Sequence, residues 1–393
     1  MARRKRRASR RFYPLFHLFV FTMLLAVTTD DLGLMWVAVE GTTLASVFLV
    51  SFHRTRASLE AAYKYLLICS VGIALAFVGT VFVYFADAQR LGAENPRATV
   101  DHPAPLGPHA AAPGAGAGLR VPPRRLRDES GARPMHTWLP DAHSEAPCAD
   151  QRPHVGRALS VGIYAVLRFK TVVDLAAGPG FSRRLLVLFG LGSMAVAAAF
   201  LWSPTNFKRM LAYSSVEHLG LVCLGLGFRR DLGRGGSRPA PGQPRPGQVR
   251  PLLLSGRIRD AYGTVEIPSV RGLLVTMPVT GRGFFVALLA LLGLPPFGLF
   301  ISELLIFGAG FREGWGFAAA LGLVLLLIAF GGLLRALHHM AYGVSGGLAA
   351  QETLTWKGAA PIAVALSLLV LTGTAWPPGL AAALERVAAV MGG

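Results

Sequence analysis

The sequence predicts an all-α, polytopic membrane protein: a bundle of transmembrane helices, some of them discontinuous. Three observations predict it. Hydrophobic residues make up 53% of the chain and charged residues only 15%, against about 25% charged in a soluble domain, and the mean hydropathy is +0.49. Apolar runs recur at the length of about 20 residues that a bilayer crossing needs. Helix breakers and single ionisable groups interrupt those runs, as in "LLGLPPFGLFISELLIF". Such breaks are tolerated where the freed backbone groups line a cavity.

The first element is a basic flank, residues 1–12, opening "MARRKRRASRR". The run "FYPLFHLFVFTMLLAV" follows it and reads as a first membrane helix with a cytoplasmic positive flank, not a cleavable signal. Residues 13–86 hold three transmembrane helices, expected at 13–29, 33–52 and 62–86. Glu40 lies mid-helix in "LMWVAVEGTTLASVFLV" with no basic residue within a turn or two. Ionisable groups at membrane depth cost several kcal/mol and face the bundle interior or a wet cavity, so Glu40 is read as functional. Glu60 and Lys64, four apart at a helix start, match a surface ion pair.

Residues 87–134 are rich in Pro, Arg and Gly, the composition of a linker. They cannot span a bilayer: an Arg at a helix centre costs about 2.5–3.5 kcal/mol. Arg120, Arg124, Arg125, Arg127 and Arg133 all fall here, with the helix-breaking Pro122-Pro123. A loop follows at 135–147, "HTWLPDAHSEAP" with its leading Met. In 148–228 helices are expected at 159–170, 184–202 and 208–228, the first too short to span alone. Lys208 and Arg209 open the third and can snorkel to headgroups. His218 sits inside it beside a Ser-rich turn, which can satisfy a neutral imidazole.

Residues 229–259 repeat the linker composition. The remainder, 260–393, carries helices expected at 283–308, 315–341 and 359–377, the first interrupted by Pro295-Pro296 before Glu303. His338-His339 reads as a wet helix end, where the dipole favours His. Cys69, Cys148 and Cys223 show no metal or disulfide spacing. No nucleophile–base set or phosphate loop is present, which argues against a self-sufficient enzyme. The net charge of +18 is clustered in the flank and the linker-like stretches, so it is weak evidence for either a nucleic-acid or an anionic-lipid partner; the apolar runs make the lipid bilayer the expected partner, and no nucleic acid is expected.

Three blocks carry a resemblance: "PMHTWLPDAHSEAP" at Pro134–Pro147, "LAYSSVEHLG" at Leu211–Gly220 and "GLPPFGLFISELLIF" at Gly293–Phe307. The chain resembles the antiporter-like membrane subunits shared by respiratory complex I, group 4 hydrogenases and Mrp-type cation/proton antiporters. Within these it is most similar to the F-type membrane subunits of hydrogenase 4 and formate hydrogenlyase. The resemblance runs from about Phe12 onward and implies that the family's first few helices are not in this chain. It implies a multi-pass subunit of the cell inner membrane that binds no cofactor or metal itself. Its implied partners are other membrane subunits and a hydrogenase or redox module whose chemistry drives proton translocation. Glu40, His218 and Glu303 fall on the family's proton pathway, as charge gate, relay and exit-side carrier. Lys64, Lys208, His136, Asp141 and His143 are secondary candidates, the last three favoured as structural. The alternatives are a complex I or Mrp-type subunit, or a non-functional remnant.

The family places a Lys just before the "HTWLPDAHS" loop, where this chain reads "LRDESGARP". Reading Leu126–Pro134 one base later permits a Lys-bearing apolar run of the family's type. The same phase restores apolar helices over 118–125, 148–158 and 236–251. Compensating frame errors, in the sequenced DNA or in a decayed gene, would account for all three odd segments; the alternative is that the segments are genuine.

Overall fold

A computed structural model describes residues 2–53, 55–91, 152–177, 179–228 and 249–343, together with Ala363, Val364 and Ser367. Among them the structure is helical with no named strand, only an isolated bridge pairing Asn206 with Glu266. The chain divides into two compact units, Met1–Leu185 and Leu186–Gly393.

The first unit is built on α1 (Ala2–Thr28), α2 (Leu32–Val50), α3 (Arg56–Leu91) and α4 (Arg152–Ala177). Local chemistry sets the starts of α2 and α3. The Asp31 carboxylate accepts the Leu34 N–H at 2.7 Å and so caps α2. Thr55 and Ser58 exchange side-chain-to-backbone hydrogen bonds of 3.0 and 3.1 Å, a capping box at the head of α3. Packing then joins the helices. The Thr42 hydroxyl lies 3.1 Å from that of Thr22, holding α2 to α1. Trp36 Nε1 donates to the Ile73 carbonyl at 2.9 Å, and the Ser46 and Tyr65 hydroxyls meet at 2.7 Å, holding α2 to α3. Phe19, Met23, Ala38, Val39 and Leu49 form the core between them. The opposite face of α3 leaves Leu59, Tyr63, Leu67, Val71 and Leu75 exposed at four-residue spacing. An apolar stripe of that extent suits lipid rather than water.

Helix α4 is longer than hydropathy predicts: 26 residues rather than 159–170. Charged groups end the apolar run early, yet the fold gives each of them a polar partner. Arg168 donates to the Thr29 carbonyl at 2.8 Å and lies 3.5 Å from Asp30. Lys170 pairs with Asp174 one turn on, and Asp174 also accepts from Ser182 at the head of the next helix.

That helix, α5 (Pro179–Leu201), crosses the boundary between the units and is followed by α6 (Phe207–Phe228). In the second unit α6 is central, with nearly every residue buried. It meets α5 through glycine: a Cβ on Gly190 would lie 2.9 Å from the Gly220 carbonyl oxygen. Two backbones approach this closely only where no side chain intervenes.

Two short helices, α7 (Val249–Tyr262) and α8 (Leu273–Thr276), lie where hydropathy predicts none. Arg257, Arg259 and Asp260 hide the first, and four residues give the second no period to read. The expected helix over 283–308 is two: α9 (Pro278–Leu291) and α10 (Gly298–Arg312). Pro295-Pro296, joined by a cis bond, and Gly293 at φ +68° lie in the gap. The last described helix, α11 (Gly316–Ala341), exposes His338 and half-buries His339 in its final turn. The expected helix over 359–377 lies outside the described residues apart from Ala363, Val364 and Ser367, all helical.

Among the described residues, five helices or helix segments are long and apolar enough to cross a membrane: Leu32–Val50, Arg56–Val81, Pro179–Leu201, Phe207–Phe228 and Gly316–Ala341. The shorter Phe12–Thr28 and Pro278–Leu291 are apolar too.

Candidate functional site

In the second unit, ionisable side chains gather where α9 stops and α10 starts. Helix α9 ends at Leu291, and Gly293 turns the chain through a left-handed conformation. Glu303, two turns into α10, is buried, with its carboxyl packed directly against Gly293. A Cβ at that glycine would lie 2.7 Å from Glu303 Cδ and Oε1. The absence of a side chain at 293 is what makes room for the carboxyl.

Helix α6 brings His218 to the same break. Its Nδ1 is 2.5 Å from the Ser214 carbonyl, and the imidazole also faces the Leu291 carbonyl. A carbonyl only accepts, so the proton between them belongs to Nδ1. Nε2 is buried and makes no hydrogen bond. In the neutral ring that nitrogen is the open proton acceptor, as a relay requires.

Lys208 occupies the first turn of α6 and is buried, only 4% exposed. The Asn206 side chain caps this helix by accepting the Lys208 and Arg209 N–H groups at 2.9 and 3.3 Å. Lys208, Ser215 and His218 follow at helical spacing, about 15 Å from first to last.

The remaining predicted residues are elsewhere. Glu40, in the first unit, is half-buried on α2 between Val39 and Gly41. Among the described residues it forms no salt bridge. Lys64 pairs with Glu60 at 2.6 Å on an exposed face of α3. His136, Asp141 and His143 lie outside the described residues.

The buried ionisable residues Glu217, Lys170 and Arg183 are not among those the sequence singles out. Glu217 is buried beside His218 and sits within the field of Glu303. Lys170 is buried in its pair with Asp174. The signal that marks Glu40 and Glu303, a lone carboxyl inside an apolar helix, is equally present for Glu217 in "AYSSVEHLGLVCLGLG". Among the described residues no group of three or more His, Cys, Asp or Glu is arranged to hold a metal.

A family model described as NADH:quinone oxidoreductase/Mrp antiporter, TM, matches residues 129–234 and 252–329. A hydrogenase-4 component F homolog of Methylacidiphilum infernorum is 34% identical over 351 residues, 85% of this chain and 70% of that protein. An NAD(P)H-quinone oxidoreductase chain 4 of Synechococcus elongatus is 33% identical over 222 residues; the match spans 54% of this chain and 42% of that relative. Among solved structures, a chain of the membrane-bound sulfane sulfur reductase, an archaeal respiratory membrane complex, superposes with a TM-score of 0.81. It is 22% identical, and the match covers 96% of this chain and 75% of that one.

Proposed function

Since the chain belongs to the NADH:quinone oxidoreductase/Mrp antiporter family, as a membrane subunit of the hydrogenase-4/complex I type, we propose that it translocates protons. The energy comes from redox chemistry in a hydrogenase or other redox module of the same complex. The carrying observation is the pairing of a buried carboxyl, Glu303, with a buried imidazole that has an open nitrogen, His218, at one helix break. Protons need groups that alternate between charged and neutral forms inside a low-dielectric bundle, and moving a charged partner nearby changes which form wins.

In this mechanism His218 accepts a proton at Nε2 and Glu303 receives it at a carboxylate oxygen. The imidazole returns to its neutral form with Nδ1–H held by Ser214. Lys208 supplies a titratable group at the entrance end of the same helix face. Glu40, on the other unit, acts as the charge gate. The protein sits in the inner membrane with other membrane subunits, and the metal or flavin chemistry belongs to its partners. The matches to hydrogenase-4 component F and to NAD(P)H-quinone oxidoreductase chain 4 support this assignment. Adjacent genes for a [NiFe] hydrogenase large subunit are the expected context; genes for an NADH-oxidising module favour the complex I alternative.

The test is proton uptake by everted membrane vesicles carrying the full complex. Glu303→Gln removes the exchangeable proton while keeping shape, and uptake should fall by roughly a hundredfold. Uptake at the unsubstituted rate refutes the mechanism.

A further inference from the structure

Glu217 has no place in that mechanism, yet it is the more deeply buried carboxyl, 3% exposed against 8% for Glu303. Packing of α6 on α10 sets where the two stand. A Cβ on Gly225 would lie 3.1 Å from Ile306 Cγ1, and one on Gly310 would lie 2.9 Å from the Phe228 ring. Both residue numbers rise together, so the helices run in the same direction where they touch. Counting back along that shared face, Glu303 is one turn before Ile306, and Glu217 is two turns before Gly225. The two carboxyls therefore enter the same end of one interface, offset along the axis by four to five residues, about 6–7.5 Å, a gap that two glutamate side chains can span.

Neither carboxylate forms an ion pair among the described residues. Lys208 on the same helix is nine residues away, about 13 Å along the axis. Arg312 is as distant along α10, and among the described residues Arg209 on α6, Arg257 and Arg259 on α7, Arg282 on α9, and Arg335, His338 and His339 on α11 form no ion pair with either Glu. Two unpaired negative charges this deep are strongly unfavourable. A second feature marks the place as built for a proton: the unpartnered Nε2 of His218, a residue only 8% exposed, lies at the same α9–α10 break.

We infer that Glu217 and Glu303 form one proton site, two facing carboxyls that hold a single proton and a single negative charge between them. This rests on the reading of Glu303 as a proton carrier. The pair lets the proton change oxygen from one carboxyl to the other with no change in net charge. Glu217 on the central helix α6 can then load while Glu303 on the broken helix unloads.

The test uses the full chain in lipid, with Glu217→Gln, Glu303→Gln, the double variant and Glu217→Asp. Proton flux under an imposed pH gradient is measured beside the infrared carbonyl band of protonated carboxyls, followed across pH. Each single Gln variant should lower flux by about tenfold or more, and the double variant should be no worse than the worse single, as for groups acting as one unit. Glu217→Asp should recover part of the flux. The midpoint of the carboxyl band should move when either Glu is replaced. Losses that multiply in the double variant, or a band unmoved by Glu217→Gln, overturn the pair. If Glu303→Gln stops flux while Glu217→Gln behaves as the unsubstituted chain, only the pair fails; if Glu303→Gln leaves flux intact, the proposed function fails first.

Discussion

The packing of Glu303 on Gly293 permits a quantitative perturbation, Gly293→Ala. Two costs add. Gly293 has φ +68°, where an L-residue costs about 1–2 kcal/mol. The new methyl would also stand 2.7 Å from Glu303 Cδ, whereas carbon atoms rest at about 3.5–4.0 Å. The carboxyl must retreat by about 1 Å. The backbone cost can be isolated, because Gly263 has φ +69° with nothing within 4 Å of a built Cβ. Gly263→Ala therefore supplies the same strain without the contact. In thermal denaturation Gly263→Ala should lose about 1–2 kcal/mol, and Gly293→Ala more, by the cost of displacing the buried carboxyl. In everted-vesicle proton uptake they should part: Gly263→Ala near the unsubstituted rate, Gly293→Ala lower by up to about a hundredfold, the penalty for a reacting group misplaced by about 1 Å. Equal uptake by the two variants would refute the claim that this glycine seats the carrier.

Further expectations concern the first unit and the gene. Glu40→Gln should reduce driven proton uptake by roughly tenfold or more if Glu40 gates the pathway; indifference would remove it from the mechanism. Lys170→Met strands Asp174 and should destabilise the fold by about 3 kcal/mol, read as thermal unfolding in detergent; the further change Asp174→Asn should recover much of it. Trp36→Phe deletes the hydrogen bond to the Ile73 carbonyl and should cost about 1 kcal/mol by the same assay. The nucleotide sequence over Arg127–Ser130 should read, one base later, as codons for glycine, threonine and lysine. Any other codon choice dismisses the frame-shift reading of that segment.

Much of this architecture is legible in hydropathy because bilayer helices announce themselves by length. Helices α2, α6 and α11 begin and end near where apolar periodicity places them, and α1 and α5 end there; α1 and α5 start earlier than hydropathy predicts, and α3 runs past its apolar stretch at both ends, because polar residues continue a helix that hydropathy alone does not see. The break before Glu303 is legible from Pro295-Pro296, since proline cannot continue the hydrogen-bond ladder. Hydropathy fails where tertiary partners rescue polar groups. Arg168, Lys170 and Asp174 truncate α4 on paper, yet Thr29, Asp30 and Ser182 give them polar partners in the fold. Helix α7 is hidden for a similar reason. At the site, spacing within "LAYSSVEHLG" marks His218 but not the meaning of Glu217. A lone carboxyl acquires its partner only when α10 is laid against α6, and that juxtaposition is tertiary.

The burial of α6 bears on how the protein enters the membrane. Its mean hydropathy is 1.3, against 2.0 for α5 and 2.6 for α11, because it carries Lys208, Glu217 and His218. Charged residues such as Lys each cost about 2.5–3.5 kcal/mol at a helix centre during insertion, so α6 alone would hesitate at the translocon. Helix α5, joined by a short turn and meshing glycine on glycine with it, is the escort at hand. The two are consecutive in the chain, so entry as a hairpin would shield the polar flank of α6 until α10 covers it.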